Sequence, residues 1–210
     1  MKLYCDPITV SCRKVLAGFD LMRTRYERVQ LSYFAGDHKK PEYLAINPNG
    51  LLPTLVDGDF VLWESNAILQ YVADKDRAAS VYPVDPRTRA DISRWQLWES
   101  SQWSPTCYVY LVENVVKPML GGKPDEALIG AQEAKFHQLA GILEQRLARE
   151  PWLCGNRVTL ADIAVAASIH LPKSQKLPLE PHPDLRRWFA QVQALPCWER
   201  TDPAPLLGLR

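Results

Sequence analysis

Along the first third of the chain the apolar positions change period several times. Lys2-Leu3-Tyr4 reads as a short buried strand, and Val15, Leu16, Phe19 and Met22 recur at helical spacing over residues 11–22. Residues 26–29 predict a second strand and residues 41–46 a turn or two of helix. Thr54-Leu55-Val56 and Phe60-Val61-Leu62 flank Asp57-Gly58, a dipeptide suited to a tight hairpin turn. Ile68, Leu69 and Val72 then share one face of a helix over residues 65–73. The order β-α-β-α-β-β-α is that of a small α/β unit.

From about residue 77 the pattern is wholly helical. Tyr82-Pro83-Val84-Asp85-Pro86 is a turn-rich linker, and residues 87–116 predict a long helix rich in Trp and Tyr. Pro105 lies inside it and predicts a kink or break. Residues 125–149, 159–170 and 183–195 predict three more helices, the middle one apolar on nearly every side and therefore buried. Thr159-Leu160-Ala161-Asp162 reads as the capping box that opens it, with Val158 and Ile163 as the hydrophobic staple. The expected fold class is α/β plus all-α: one domain over 1–77, a linker over 78–86 and a helical domain over 87–210.

Composition narrows the function. The 25 basic and 24 acidic residues leave a net charge of +1, so no overall field draws nucleic acid or anionic lipid. No apolar stretch approaches the roughly 20 residues of a membrane span, and no leader-like segment precedes the first strand. Cys5, Cys12, Cys107, Cys154 and Cys197 form no C-x-x-C pair, which argues against a disulfide scaffold or a structural zinc site. Reduced thiols in a cytoplasm are expected. His137, His170 and His182 show no metal spacing, and no metal or redox cofactor is implied.

The candidate chemistry sits between Asn47 and Ser65. Pro53 cannot donate to a sheet and holds Leu52 extended. A cis bond at Leu52-Pro53 would turn the chain and leave the N–H and C=O of Leu52 facing outward, able to bind an extended peptide backbone. At Glu64-Ser65 a helix begins; its free N–H groups and the Ser65 hydroxyl suit a carboxylate, and Glu64 suits an ammonium. An amino-acid-like end at Ser65 and a peptide bond at Leu52 together describe a short peptide.

The element order, the N-P-x-G-x-x-P-T-L of residues 47–55, the W-E-S of residues 63–65 and the T-L-A-D-I cap resemble the cytosolic glutathione transferase family, over roughly residues 1–198. The likeness is to serine/threonine-type, bacterial theta/delta-like members. It implies a thioredoxin-like N-terminal domain that binds glutathione, a helical-bundle C-terminal domain for a small hydrophobic electrophile, and a homodimer. Glutathione is the co-substrate. Carried over by position, Leu52 and Pro53 would meet the cysteinyl backbone, Glu64 and Ser65 the γ-glutamyl end, and His38 and Lys39 the glycyl carboxylate. Gly50 and Leu51 stand where members often have a polar or basic residue, and Asn66 where some have Arg.

The family's chemistry lowers the pKa of the glutathione thiol with a hydroxyl near a helix N-terminus. In serine-type relatives that serine lies three residues before a C-R pair. Here the pair is Cys12-Arg13 and the matching residue is Thr9. Ser11 is the second candidate, with an N-cap as its alternative reading. Cys12 could form a mixed disulfide, as in thiol transferases, or be a small buried filler. Trp103, Thr106 and Tyr110 follow i, i+3, i+7 on the face that lines the electrophile pocket in the family, whereas Trp95 and Trp98 read as core. The alternatives are a glutathione-dependent thiol-disulfide reductase or peroxidase, and a non-catalytic binding module.

Overall fold

The short apolar runs of the first third pair into one four-stranded sheet in the computed structural model, which describes residues 1–209. The strands are β1 (Lys2–Cys5), β2 (Glu27–Gln30), β3 (Thr54–Asp57) and β4 (Phe60–Trp63), in the order β2-β1-β3-β4. β1 is parallel to β2 and antiparallel to β3; β3 and β4 form a hairpin. Gly58 closes that hairpin at φ 65, a conformation that glycine takes without Cβ strain. Leu3, Cys5 and Leu55 are fully buried, with Leu3 opposite Leu55 in the register.

Three helices complete this layer: α1 (Val10–Met22), α2 (Pro41–Leu44) and α3 (Ser65–Lys75). α1 buries Val15, Leu16 and Phe19, and α3 buries Ile68, Leu69 and Val72. They approach closely at Gly18, where an added Cβ would lie 2.2 Å from a Leu69 methyl. The first third therefore folds in the expected thioredoxin-like order.

The rest is helical. Residues 86–119 run as one stretch: α4 (Pro86–Trp98), a π-helical segment (Glu99–Trp103), α5 (Ser104–Leu111), a second π segment (Val112–Val116) and α6 (Lys117–Met119). Of the kink or break expected at Pro105, the structure has no break; the helix instead widens to a π turn directly before it. Pro105 lies in the first turn of α5, directly after the wide π turn, and Ser104 keeps helical φ −61 and ψ −47. A wide turn takes up the missing N–H and the bulk of the ring. Then come α7 (Glu126–Leu147), α8 (Leu160–Ala167), α9 (Pro172–Gln175) and α10 (Pro183–Gln193).

Every residue of α8 is buried, and the capping box at its start is present. The box is larger than its sequence signature. One oxygen of Asp162 accepts from the Thr159 N–H at 2.8 Å and the Thr159 hydroxyl at 3.0 Å. The other accepts from the Leu153 N–H and the Trp188 indole, each at 2.9 Å. Burial raises the Asp162 carboxyl above the usual carboxylate range, while these donors pull it back.

α11 (Pro196–Arg200) belongs elsewhere. Residues 196–208 pack with residues 1–82 as one compact unit, and residues 83–195 form the other. Within the first unit the Arg13 guanidinium stacks 4.2 Å from the Trp198 ring, and Arg200 pairs with Asp20 at 2.6 and 3.1 Å. The expected helical domain of 87–210 is thus shortened at its C-terminal end, because Trp198 and Cys197 are buried against α1.

Replacing Asp162 with Ala strands two backbone donors, an indole and a hydroxyl. The expected loss of stability is about 3 kcal/mol or more, since each buried unpaired donor costs about 1–3 kcal/mol. Urea unfolding followed by tryptophan fluorescence measures it, and Asp162→Asn, which keeps one acceptor oxygen, should lose less.

Candidate active site

The site starts with a carbonyl pulled inward. Asn47 and Tyr43 are both buried, and both donate to the C=O of Leu51, Tyr43 from its hydroxyl at 2.6 Å and Asn47 from its amide at 3.0 Å. Each also meets the hydroxyl of fully buried Thr54, at 2.7 and 2.9 Å. The amide oxygen of Asn47 accepts from the backbone and side chain of Asn49. This knot joins α2, the loop and β3, and it satisfies its own buried polar groups.

The next bond, Leu52-Pro53, is cis. Among the described residues, no hydrogen bond engages the N–H or C=O of Leu52. Gly50 ahead of it holds φ 56, and an added Cβ would meet Leu44 at 2.9 Å, the Lys39 amine at 3.0 Å and the His38 carbonyl at 3.1 Å. The Lys39 ammonium donates to the Gly50 C=O at 2.8 Å and braces the loop from outside.

Two helix N-termini face this turn. α3 begins at Ser65, and its N-cap residue Glu64 sits at φ 73 and ψ 112, a conformation L-residues rarely adopt. Such outliers concentrate where the surrounding structure holds a residue for a purpose. α1 begins at Val10 with Thr9 as its N-cap, so Ser11 is the second residue of the helix and not its cap. Ser11, Asn47, Asn49, Leu51, Leu52, Pro53, Trp63, Glu64 and Ser65 line one cleft of about 180 Å³.

That cleft gathers Leu52, Pro53, Glu64, Ser65 and Ser11 from the expected set. Asn47, Asn49 and Trp63 join them; Asn47 and Trp63 stand in the two motifs, but the sequence assigned none of the three a binding role. Thr9 is not on the wall: its hydroxyl donates to the Asp6 carbonyl at 3.1 Å, and its side chain hydrogen-bonds the Cys12 thiol. His38 is buried and stacks on Tyr33 at 4.5 Å; burial first, then Lys39, lowers its pKa. Neither His38 nor Lys39 lines the cleft, although Lys39 supports its loop.

Two further expectations meet the burial pattern. Cys12 is fully buried, and burial pushes its thiol well above the usual range, consistent with a filler and against a thiolate at neutral pH. Trp103, Thr106 and Tyr110, expected at an electrophile pocket, are 0%, 5% and 2% exposed. The Trp103 indole donates to the Val165 carbonyl at 3.1 Å, and Trp103 and Tyr110 both pack on Phe136. They are interior packing residues here. The solvent-facing aromatic of that helix is Tyr108.

Residues 3–74 match the N-terminal domain of glutathione S-transferases, and residues 108–196 match the C-terminal domain of the same enzymes. The chain belongs to the glutathione S-transferase family. A glutathione S-transferase of Hyoscyamus muticus is 32% identical over 204 residues, 95% of this chain and 96% of that one. Glutathione transferase F7 from Populus trichocarpa superposes with a TM-score of 0.88 at 27% identity, covering 95% of this chain and 96% of that chain. A theta class enzyme of Xanthomonas axonopodis pv. citri, solved with glutathione bound, gives 0.85 at 30% identity over 96% of each chain.

The knot predicts its own test. Asn47→Ala removes one donor from the Leu51 carbonyl and one from Thr54, and leaves Asn49 without its acceptor. The expected cost is about 1–3 kcal/mol, read from a lowered thermal midpoint. Cys12 should resist iodoacetamide at pH 7.5 in the folded protein and react on unfolding, as followed by mass spectrometry.

Proposed function

We propose that this chain binds glutathione in the cleft beneath the Leu52-Pro53 turn and conjugates its thiolate to a small hydrophobic electrophile. The observation that carries this reading is the convergence in one cleft of an unpaired extended backbone at Leu52 and two helix N-termini. The N–H and C=O of Leu52 would pair with the cysteinyl backbone. The N-terminus of α3 and the Ser65 hydroxyl would take the γ-glutamyl carboxylate, and Glu64 its ammonium. The glycyl carboxylate falls to the side of the loop where Lys39 and His38 stand.

The reacting sulfur then lies toward the N-terminus of α1. Its partial positive charge and a hydroxyl donor favour thiolate over thiol, whose free pKa is about 8.5. Two hydroxyls stand there: Ser11 on the cleft wall and Thr9 at the cap, the position that matches serine-type relatives. The thiolate attacks the electrophilic carbon, a C–S bond forms, and the displaced group leaves with the electron pair. Positioning and thiolate stabilisation supply the rate. We place the protein among serine/threonine-type members, as a cytosolic homodimer. The exposed Phe60, Val61 and Trp63 of edge strand β4 support an association surface. A reductase acting through Cys12 is disfavoured by the burial of its thiol.

Calorimetry with glutathione tests the cleft: wild type binds, and Ser65→Ala weakens the affinity about tenfold, the value of one charge-assisted hydrogen bond. No binding by the wild type removes the reading, and binding without turnover across a panel of electrophiles leaves a binding module. Titration of the bound thiol by thiolate absorbance tests the donor. Thr9→Val/Ser11→Ala should return the pKa toward about 8.5 and move the pH–rate profile to higher pH. The single variant that reproduces this shift identifies the donor.

A further inference from the structure

The helical unit contains a pair of histidines that its proposed chemistry does not use. His137 on α7 and His182, the N-cap residue of α10, face each other with 2.9 Å between His137 Nδ1 and His182 Nε2. Their rings are 5.2 Å apart, and both pack against Phe136. A hydrogen bond between two imidazoles needs one donor nitrogen and one acceptor nitrogen. Two neutral rings or a singly protonated pair can form it; two imidazolium rings cannot.

The surroundings set how a second proton is received. α7 contributes Glu133, 3.8 Å from His137 Nε2, and Glu144, whose two oxygens accept from the N–H groups of Asp184 and Leu185 at 3.0 and 2.9 Å. α10 contributes Asp184 and Arg187, which pair with each other at 3.2 Å, and Arg187 also donates to the Leu147 carbonyl. α5 contributes the Tyr110 phenol, which packs on Phe136. Burial lowers the pKa of His182, His137 lowers it further, and Glu144 opposes both. A cation at the N-cap of α10 also opposes the helix dipole.

We propose that the His137–His182 hydrogen bond is an acid-released latch, holding the N-terminus of α10 on α7 while the pair carries no more than one proton. The sign follows from linkage. His182 binds its proton less readily folded than unfolded, so the stability it contributes is present in full above its unfolded pKa of about 6.5 and falls as the pH drops below it. Release of α10 has a definite consequence, because Trp188 on this helix donates to buried Asp162. Acidification would therefore loosen the cap of α8 as well.

Hydrogen exchange by mass spectrometry tests the latch on the full chain. After correction for intrinsic exchange, protection of the α10 amides in the wild type should fall about tenfold per pH unit below about 6.5. In His137→Gln, which keeps a hydrogen-bonding side chain but cannot be protonated, that dependence should weaken to the part that burial of His182 alone imposes. Equal pH dependence in both proteins overturns the proposal. A second measurement needs no variant: the chain has four histidines, so ring-proton NMR resolves each titration. One ring of the pair staying neutral to at least a pH unit below the other supports the latch, and two independent titrations near 6.5 overturn it.

Discussion

The carbonyl of Leu51 points into the protein, and the cleft depends on that one orientation. Tyr43 and Asn47 grip it from two sides, and Thr54 closes the knot from the first residue of β3. Buried polar groups of this kind are costly unless each finds a partner. Here the partners come from α2, the loop and the sheet at once. With the Leu51 carbonyl turned inward, the chain presents the Leu52 amide and carbonyl on its other side. The cleft is therefore shaped by an interaction made wholly within the protein.

The helical unit uses the same kind of device around Asp162. A carboxylate is carried into the core, where its charge is unfavourable, and four donors from three residues meet it. Breaking any one segment's contact exposes the others. Both units thus contain a satisfied polar centre within an apolar core. The first shapes a surface, and the second fixes where α8, α10 and the 153–159 loop meet.

Much of this was legible because it is local. The hairpin, the capping box and the W-E-S helix start are written within a few neighbouring residues, so spacing alone reveals them. The knot is not legible, although Tyr43, Asn47 and Thr54 lie within one short stretch, because the apolar period says nothing of where a loop Asn points. Leu153 and Trp188 could not be paired with Asp162 from sequence, since nothing local links them. Trp103, Thr106 and Tyr110 were grouped correctly on one side of a helix, but periodicity does not say which side faces inward. Starting α1 one residue earlier than expected moved the cap from Ser11 to Thr9 and turned Ser11 toward the cleft. The last helix, 196–200, is assigned to the first unit by contacts far apart in sequence, Trp198 on Arg13 and Arg200 with Asp20.

The amine of Lys39 stands 3.0 Å from where a side chain at position 50 would begin, and Gly50 is already at positive φ. A side chain at 50 would also meet a Leu44 methyl at 2.9 Å and the His38 carbonyl at 3.1 Å, so the lysine is one of three neighbours that close this volume. Loss of the lysine alone opens no room there, because the positive φ and the backbone contact stay. The cation beside the loop is thus held by a turn whose conformation favours glycine.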